Sequence, residues 1–276
     1  MDLTKSLENK TAVITGGGSG IGKSIAAKYL ACGANVVIAS RKEEKLSAAV
    51  EELQAIGDRI SYKVLDVRLP HAVEKAMDEI AATHNGIDVL VNNAAANFIA
   101  PAEKMSPNAW KIVIDIVLNG SYYCSHFAGK HMIEKKAGKI LNVIASYAWT
   151  GNAGTVHSAA AKAGVLAMTR TLAIEWARYN IQTNAIAPGI VDTPGAHANL
   201  WDIPQVQEAL LKQIPSHRFA DGEEIANACL FLVSEAGDYI NGEVLTMDAG
   251  LWLNRSMMSM KQIDAMHAHL MSKREK

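Results

Sequence analysis

Cysteine is scarce in this chain: only Cys32, Cys124 and Cys229 occur among its 276 residues. They are odd in number, far apart and form no C-x-x-C pair. That argues against a disulfide framework or a zinc knuckle and fits a reducing compartment. No H-E-x-x-H occurs among the nine histidines, and the nearest pair, His267 and His269, falls in a polar, Met-rich tail. No metal site is expected. Long hydrophobic runs are missing too, since none approaches the roughly 18 apolar residues of a membrane helix. Met1–Lys10 carries charges and no apolar stretch, so no secretory signal is expected and the cytoplasm is the default location. Neither charge sign prevails: Lys and Arg total 27, Asp and Glu 28, net −1. No strong field draws the chain to nucleic acid or to an anionic membrane, and neither is expected as a partner. Linkers rich in Pro, Gly or Ser, low-complexity tracts and internal repeats are absent as well. One domain over 1–276 is the expectation.

What is present is 49% hydrophobic and 20% charged, ordinary for an α/β protein and long enough to bury a core without disulfides or metal. Short β-branched runs alternate with helical patterns. Thr11–Thr15, Asn35–Ala39, Ile60–Leu65, Ile87–Val91, Lys139–Ala145, Ile181–Ala187 and Val244–Met247 read as strands. Helices are expected over Gly20–Cys32, Lys42–Ile56, Ala72–Thr83, a long stretch from Pro107, and about Ala159–Tyr179. The strands are apolar throughout rather than alternating, as for strands buried on both faces. Strand–helix alternation predicts right-handed crossovers. The fold class is therefore α/β: a single, doubly wound Rossmann-type domain on a mostly parallel seven-stranded sheet. Residues 190–215 hold three prolines and few strand signals and read as a mobile helical flap over substrate. Residues 256–276, with Met257, Met258, Met260, Met266 and Met271, read as an amphipathic tail helix packed on the body or on a neighbouring subunit. A soft apolar wall for a substrate pocket is the alternative.

Thr15-Gly16-Gly17-Gly18-Ser19-Gly20-Ile21-Gly22 follows the first strand and opens a helix. Glycines let backbone approach a phosphate, and the helix start offers free N–H groups. Gly16, Gly18, Ser19, Gly20 and Ile21 are the candidate cofactor contacts. The spacing is G-x-x-x-G-x-G rather than G-x-G-x-x-G. From Gly17 to Ser24 the chain also matches the P-loop pattern G-x-x-x-x-G-K-S literally, although no Mg²⁺-binding Asp follows at a suitable place. The second strand ends Ala39-Ser40-Arg41-Lys42, without the acid that would grip a ribose 2′-OH. Ser40, Arg41 and Lys42 can instead bind a 2′-phosphate. NADPH is the expected cofactor; a solvated helix start is the plainer reading of Arg41 and Lys42.

Over about residues 7–253 these motifs resemble the short-chain dehydrogenase/reductase family. Thr15-Gly16-x-x-x-Gly20-x-Gly22 is similar to its cofactor turn, and Asp66-Val67 to its adenine contact. Asn92-Asn93-Ala94-Ala95 is similar to its N-N-A-G strand end, and Pro188-Gly189-Ile190-Val191-Asp192-Thr193 to its nicotinamide segment. The resemblance thus adds Asp66, Val67, Asn93, Ala94, Pro188, Gly189 and Thr193 to the expected cofactor contacts. The family's usual Tyr-x-x-x-Lys pair is here Ser158-x-x-x-Lys162, and the serine usual before it falls on Ala145. A serine hydroxyl does not replace a phenol as proton donor at neutral pH. Within the family, the short-chain 2,4-dienoyl-CoA reductases share this Ser-x-x-x-Lys arrangement, a tyrosine at the position of Tyr147, and the segment Asp115-Ile116-Val117-Leu118-Asn119-Gly120.

That resemblance implies a catalytic set of Tyr147, Asn119, Ser158 and Lys162. Tyr147 and Asn119 would polarise a thioester oxygen, Ser158 would assist by hydrogen bonding, and Lys162 would hold the nicotinamide ribose. It also implies an acyl-CoA substrate, a 3-enoyl-CoA product in unsaturated fatty acid β-oxidation, and a homotetramer. Three other readings stay open: a reductase of another conjugated enoyl thioester, a 3-oxoacyl-thioester or other carbonyl reductase with Tyr147 as acid, and a non-catalytic NADP(H)-binding protein. A Ser–Lys hydrolase needs S-x-x-K, one residue shorter. Tyr147 as a packed aromatic, Asn119 as a backbone bridge and Asp248 as a structural carboxylate are the plainer alternatives. Lys212, Arg218 and Arg255 are candidates for gripping the CoA phosphates.

Overall fold

A computed structural model describes residues 3–193, 203–254 and 262–267. Seven strands form one sheet: β1 (Thr11–Thr15), β2 (Asn35–Ser40), β3 (Ile60–Val64), β4 (Val89–Asn92), β5 (Gly138–Val143), β6 (Ile181–Pro188) and β7 (Val244–Met247). Their order is β3-β2-β1-β4-β5-β6-β7. Every pairing is parallel, β7 included, so the sheet is wholly rather than mostly parallel. The order reverses between β1 and β4. At such a switch point neighbouring crossovers leave in opposite directions and open a crevice at the strand C-termini.

Burial on both faces explains the apolar strands. Ala12 and Ile14 of β1 pack into one core with Ile25, Tyr29 and Leu46. Val13 points the other way, into a second core with Met77, Ile80, Met132 and Ile140. The first core is closed by α1 (Gly20–Ala31), α2 (Glu43–Leu53) and α8 (Gly222–Val233); the second by α3 (Pro70–His84), α5 (Gly120–Lys135) and α6 (Val156–Trp176). The long helix expected from Pro107 is continuous but not uniform. α4 (Pro107–Ile114) runs into a π-helical turn, Asp115–Asn119, before α5. Its start is capped by Ser106, whose hydroxyl accepts from Ala109 N at 3.1 Å. α7 (Pro204–Gln213) makes residues 204–213 of the expected flap helical, whereas its first residues, 190–193, are not, and Val191 forms a parallel bridge with Ala220.

Expected boundaries hold to within three residues. The fourth strand begins at Val89 rather than Ile87, and α6 starts at Val156, three residues before Ala159. Flap residues 194–202 and tail residues 255–261 and 268–276 lie outside the described residues, and with them Met257, Met258, Met260 and Met271. Met266, in a helical stretch over 262–267, is exposed. Among the described residues no helix is long and apolar enough to cross a membrane, and no cluster of metal-ligating side chains occurs. All three cysteines are buried and none forms a disulfide.

α1 leaves β1 so closely that Gly22 has no room for a side chain. A Cβ there would stand 2.5 Å from the Gly16 carbonyl oxygen and 2.5 Å from Asn93 Nδ2. At Gly18 the nearest atom would be 3.5 Å away. Gly22→Ala is expected to destabilise the fold by about 1–3 kcal/mol through overpacking. Gly18→Ala should stay within about 0.5 kcal/mol. Urea unfolding of both variants checks this, and equal stability of the two would refute it.

Candidate active site

The crevice at the switch point is built around one hydroxyl. Thr15, the last residue of β1, is 1% exposed. Its Oγ1 accepts from the backbone N–H groups of Asn93 and Ala94, both at 3.0 Å, and donates to Val91 O at 3.3 Å. Asn93 replies with its side chain, donating to the carbonyls of Thr15 (3.0 Å) and Gly16 (3.2 Å). The N-N-A-A segment is thus fastened to the glycine turn, and the Asn93 amide is spent on that fastening. Gly16 and Gly20 hold φ of +67° and +53°, values that favour glycine. Ser19 precedes α1 in extended conformation and makes no side-chain cap, and the first turn of α1 carries no acid. Its leading N–H groups therefore face the crevice without an internal partner, as a pyrophosphate requires.

Lys23 and Ser24 turn away from this cradle. Lys23 pairs with Glu52 of α2 at 2.7 Å, and the Ser24 hydroxyl lies against Gly222 at the start of α8. A P-loop needs both on the phosphates and metal, so the literal match from Gly17 to Ser24 is not a P-loop. The remaining expected cofactor residues lie at or beyond the C-terminal ends of strands, on the same edge of the parallel sheet as the glycine turn. Thr193 packs over Gly20, its Cβ 3.5 Å from where a Gly20 side chain would begin. Pro188 ends β6, and Gly189 presses on Asp248: a Cβ at Gly189 would stand 2.7 Å from Asp248 Cβ. Asp248 itself accepts from the N–H groups of Gly250 (3.0 Å) and Trp252 (2.8 Å), the structural role that was its plainer reading. Arg41 is exposed at the end of β2. Asp66 is gripped by Arg68 through contacts of 2.5–3.1 Å. That hydrogen-bonded guanidinium holds the Asp66 carboxyl below its usual range, with a smaller contribution from the charge on Arg41. Val67 is buried beneath Gly120.

Beside the cradle stand the expected catalytic residues. A short helical turn, Tyr147–Thr150, follows β5 and carries Tyr147, whose hydroxyl lies 3.0 Å from Ser158 Oγ on α6. Burial pushes the Tyr147 phenol above its ordinary value, partly offset by the Ser158 hydrogen bond. One turn along α6, the Lys162 ammonium is buried and donates to the Val143 carbonyl at the end of β5. Burial lowers its pKa to about 8. Asn119 ends the π-helical turn, which packs on α6 where Leu118 meets Gly164. Its Nδ2 donates to Asp115 Oδ1 at 2.9 Å. Trp149 meets Trp252 edge to face, centroids 5.7 Å apart, joining the Tyr147 turn to the segment after β7. Of the CoA candidates, Lys212 pairs with Glu208 at 2.7 Å. Arg218 is bidentate to Glu224 in the capping box of α8. Arg255 lies outside the described residues.

The family model described as "Enoyl-(Acyl carrier protein) reductase" matches residues 16–252. The chain belongs to the short-chain dehydrogenase/reductase family. A crystal structure of a short chain dehydrogenase from Bacillus anthracis is 44% identical, with TM-score 0.81 over 90% of this chain and 98% of that one. A probable 2,4-dienoyl-CoA reductase of Bacillus subtilis, named as (2E)-enoyl-CoA-producing, is 45% identical over 90% of this chain and 98% of its own. A peroxisomal 2,4-dienoyl-CoA reductase of Danio rerio, named as (3E)-enoyl-CoA-producing, is 38% identical over 90% and 83%. Family membership makes the chain an oxidoreductase of the nicotinamide-dependent kind.

Two residues outside the expected set organise this site. Thr15 stood in the glycine motif without an assigned role, and only the approach of β4 gives its hydroxyl two donors. Asp115 was legible as an acid four residues before Asn119, a spacing that puts both on one helix face. Lys162 supplies a test of the burial. Its folded pKa lies below the unfolded value of about 10.4, so the unfolded chain binds more protons between the two. Stability of the parent should rise with pH across that window. The stability of Lys162→Met relative to the parent should therefore fall by about 3 kcal/mol from pH 8 to 10.5. Urea unfolding at several pH values checks it; a constant difference would place the ammonium in water.

Proposed function

We propose that this protein is an NADPH-dependent reductase of conjugated enoyl thioesters, with 2,4-dienoyl-CoA as substrate. The observation that carries this reading is the Tyr147–Ser158 hydroxyl pair at 3.0 Å, standing where most of the family uses a tyrosine beside Lys162. Relatives named as dienoyl-CoA reductases support it.

The nicotinamide, when bound, supplies hydride to the distal alkene carbon of the diene. Negative charge then collects on the thioester oxygen as a dienolate. That oxygen needs donors more than it needs a strong acid. Tyr147 suits this: a phenol raised above its usual range by burial stays protonated and donates. Ser158 orients the phenol, and Asn119 supplies a second donor from the neighbouring turn. One such donor is typically worth ~3 kcal/mol in rate. Lys162, pinned to Val143 O, remains in place to bind the nicotinamide ribose. The glycine turn and the α1 N-terminus would hold the pyrophosphate, and Thr193 the nicotinamide end. Arg41 takes the 2′-phosphate, since β2 ends without an acid that would repel it. Protonation beside the carbonyl gives a 3-enoyl-CoA, whereas protonation two carbons further out gives a 2-enoyl-CoA. We assign the 3-enoyl product, because a dienolate held at its oxygen is protonated at the adjacent carbon. The same raised phenol argues against a carbonyl reductase in which Tyr147 is the acid. We place the enzyme in the cytoplasm, where its three thiols stay reduced. We also read it as a homotetramer built partly on α4 and α5, whose Trp110, Ile112 and Tyr122 are exposed apolar surface.

Oxidation of NADPH is expected with 2,4-hexadienoyl-CoA and not with crotonyl-CoA or acetoacetyl-CoA. Tyr147→Phe should lower kcat by about 100-fold. Turnover of the oxo substrate alone would make the protein a ketoreductase; NADPH binding with no turnover would make it a binding protein. For the cofactor, Arg41→Ala should raise the KM for NADPH by about tenfold and leave that for NADH within about twofold. Equal effects on both would remove the 2′-phosphate from Arg41.

A further inference from the structure

A side-chain amide presents an oxygen at one end and a nitrogen at the other, in nearly the same shape. Asn119 helps a substrate oxygen only with its nitrogen end correctly placed; turned over, it sets an acceptor against a developing negative charge. Asp115 removes that freedom. It lies one turn earlier on the π-helical segment, and its Oδ1 accepts from Asn119 Nδ2 at 2.9 Å. A carboxylate has no proton to donate, so only the nitrogen end can face it. One N–H of Asn119 is spent on Asp115, and the other keeps a set direction.

Asp115 is itself held in its charged form. Lys111 of α4 pairs with it from the preceding turn. The charge of Arg68, anchored on Asp66 after β3, also favours the ionised form of Asp115. Hydrogen bonding from Lys111 is the largest influence keeping the carboxyl below its usual range; burial opposes it, and Asn119 and Arg68 add to the lowering. The acid therefore stays ionised through the working pH range.

We infer that Asp115 is a positioning residue, which fixes the Asn119 amide as a donor to the substrate's thioester oxygen. This rests on the proposed reduction of an enoyl thioester. Four variants form a double-mutant cycle on 2,4-hexadienoyl-CoA: the parent, Asp115→Asn, Asn119→Ala and the two combined. Asp115→Asn lets the amide settle either way and is expected to lower kcat about tenfold, with KM for NADPH within about twofold. In the Asn119→Ala background the same change should cost less than about twofold. Asp115→Glu, which keeps the charged acceptor, should recover activity to within about threefold of the parent. Asp115→Ser goes through the same cycle with the same expectation, so that a single misfolded variant does not decide the result. An equal cost in both backgrounds would make Asp115 a purely structural residue and overturn the inference. So would a normal kcat for Asp115→Asn beside a slow Asn119→Ala, while leaving the proposed function intact. A parent that fails to reduce the dienoyl thioester overturns both.

Discussion

The hydroxyl of Thr15 ties the active end of this molecule together. β1 and β4 are neighbours whose crossovers depart to opposite faces, so their C-terminal ends would otherwise be free to splay. One buried oxygen accepts the N–H groups of Asn93 and Ala94 and donates to Val91. Those groups sit where no further strand pairing can satisfy them, and an unpaired buried N–H costs about 1–3 kcal/mol. The glycine turn takes its shape from the same knot, because Asn93 returns two hydrogen bonds to the carbonyls of Thr15 and Gly16. Gly22 then lets α1 begin in contact with it. The shape of the glycine turn thus follows from the joining of two strands.

Burial acts in opposite senses on Tyr147, in the turn after β5, and on Lys162 of α6. The low-polarity surroundings disfavour charge, so the phenol of Tyr147 holds its proton more firmly while the ammonium of Lys162 holds its own less firmly. The Val143 carbonyl compensates the lysine with a direct hydrogen bond. A site of this kind is better matched to stabilising an oxyanion by donation than to delivering a proton from an acidified tyrosine. Ser158 fits the proposed division of labour, because its hydroxyl lies 3.0 Å from the Tyr147 phenol and need not itself ionise.

Along the rim, charges alternate from Arg41 to Asp66, Arg68, Asp115 and Lys111. The line runs from the cofactor end of the crevice to the turn that carries Asn119. Each carboxylate lies between cations, so none is left to repel an incoming nucleotide phosphate. Of the three basic residues read as CoA anchors, Lys212 pairs with Glu208 and Arg218 with Glu224, and Arg255 lies outside the described residues.

Period and punctuation in the sequence determined most of the fold. Apolar β-branched runs bounded by glycine or proline located seven strands, and their lack of alternation identified a sheet covered on both faces. The glycine turn, the strand-end motifs and the Ser158–Lys162 spacing were legible because each is a local pattern in which neighbours along the chain are neighbours in space. Tertiary structure decided the rest. The P-loop match from Gly17 to Ser24 is literal but lacks a following Mg²⁺-binding Asp, and the fold disposes of it by putting Lys23 on Glu52 and Ser24 on α8. The family resemblance makes Asn93 a cofactor contact, and the fold employs its side chain as a brace. Thr15 reads as the end of a strand, and the fold makes it the anchor. Such roles depend on which partner arrives from 77 or 78 residues away. A hydrogen-bonding side chain names what it can donate or accept, whereas only the folded chain sets which group comes within about 3 Å of it.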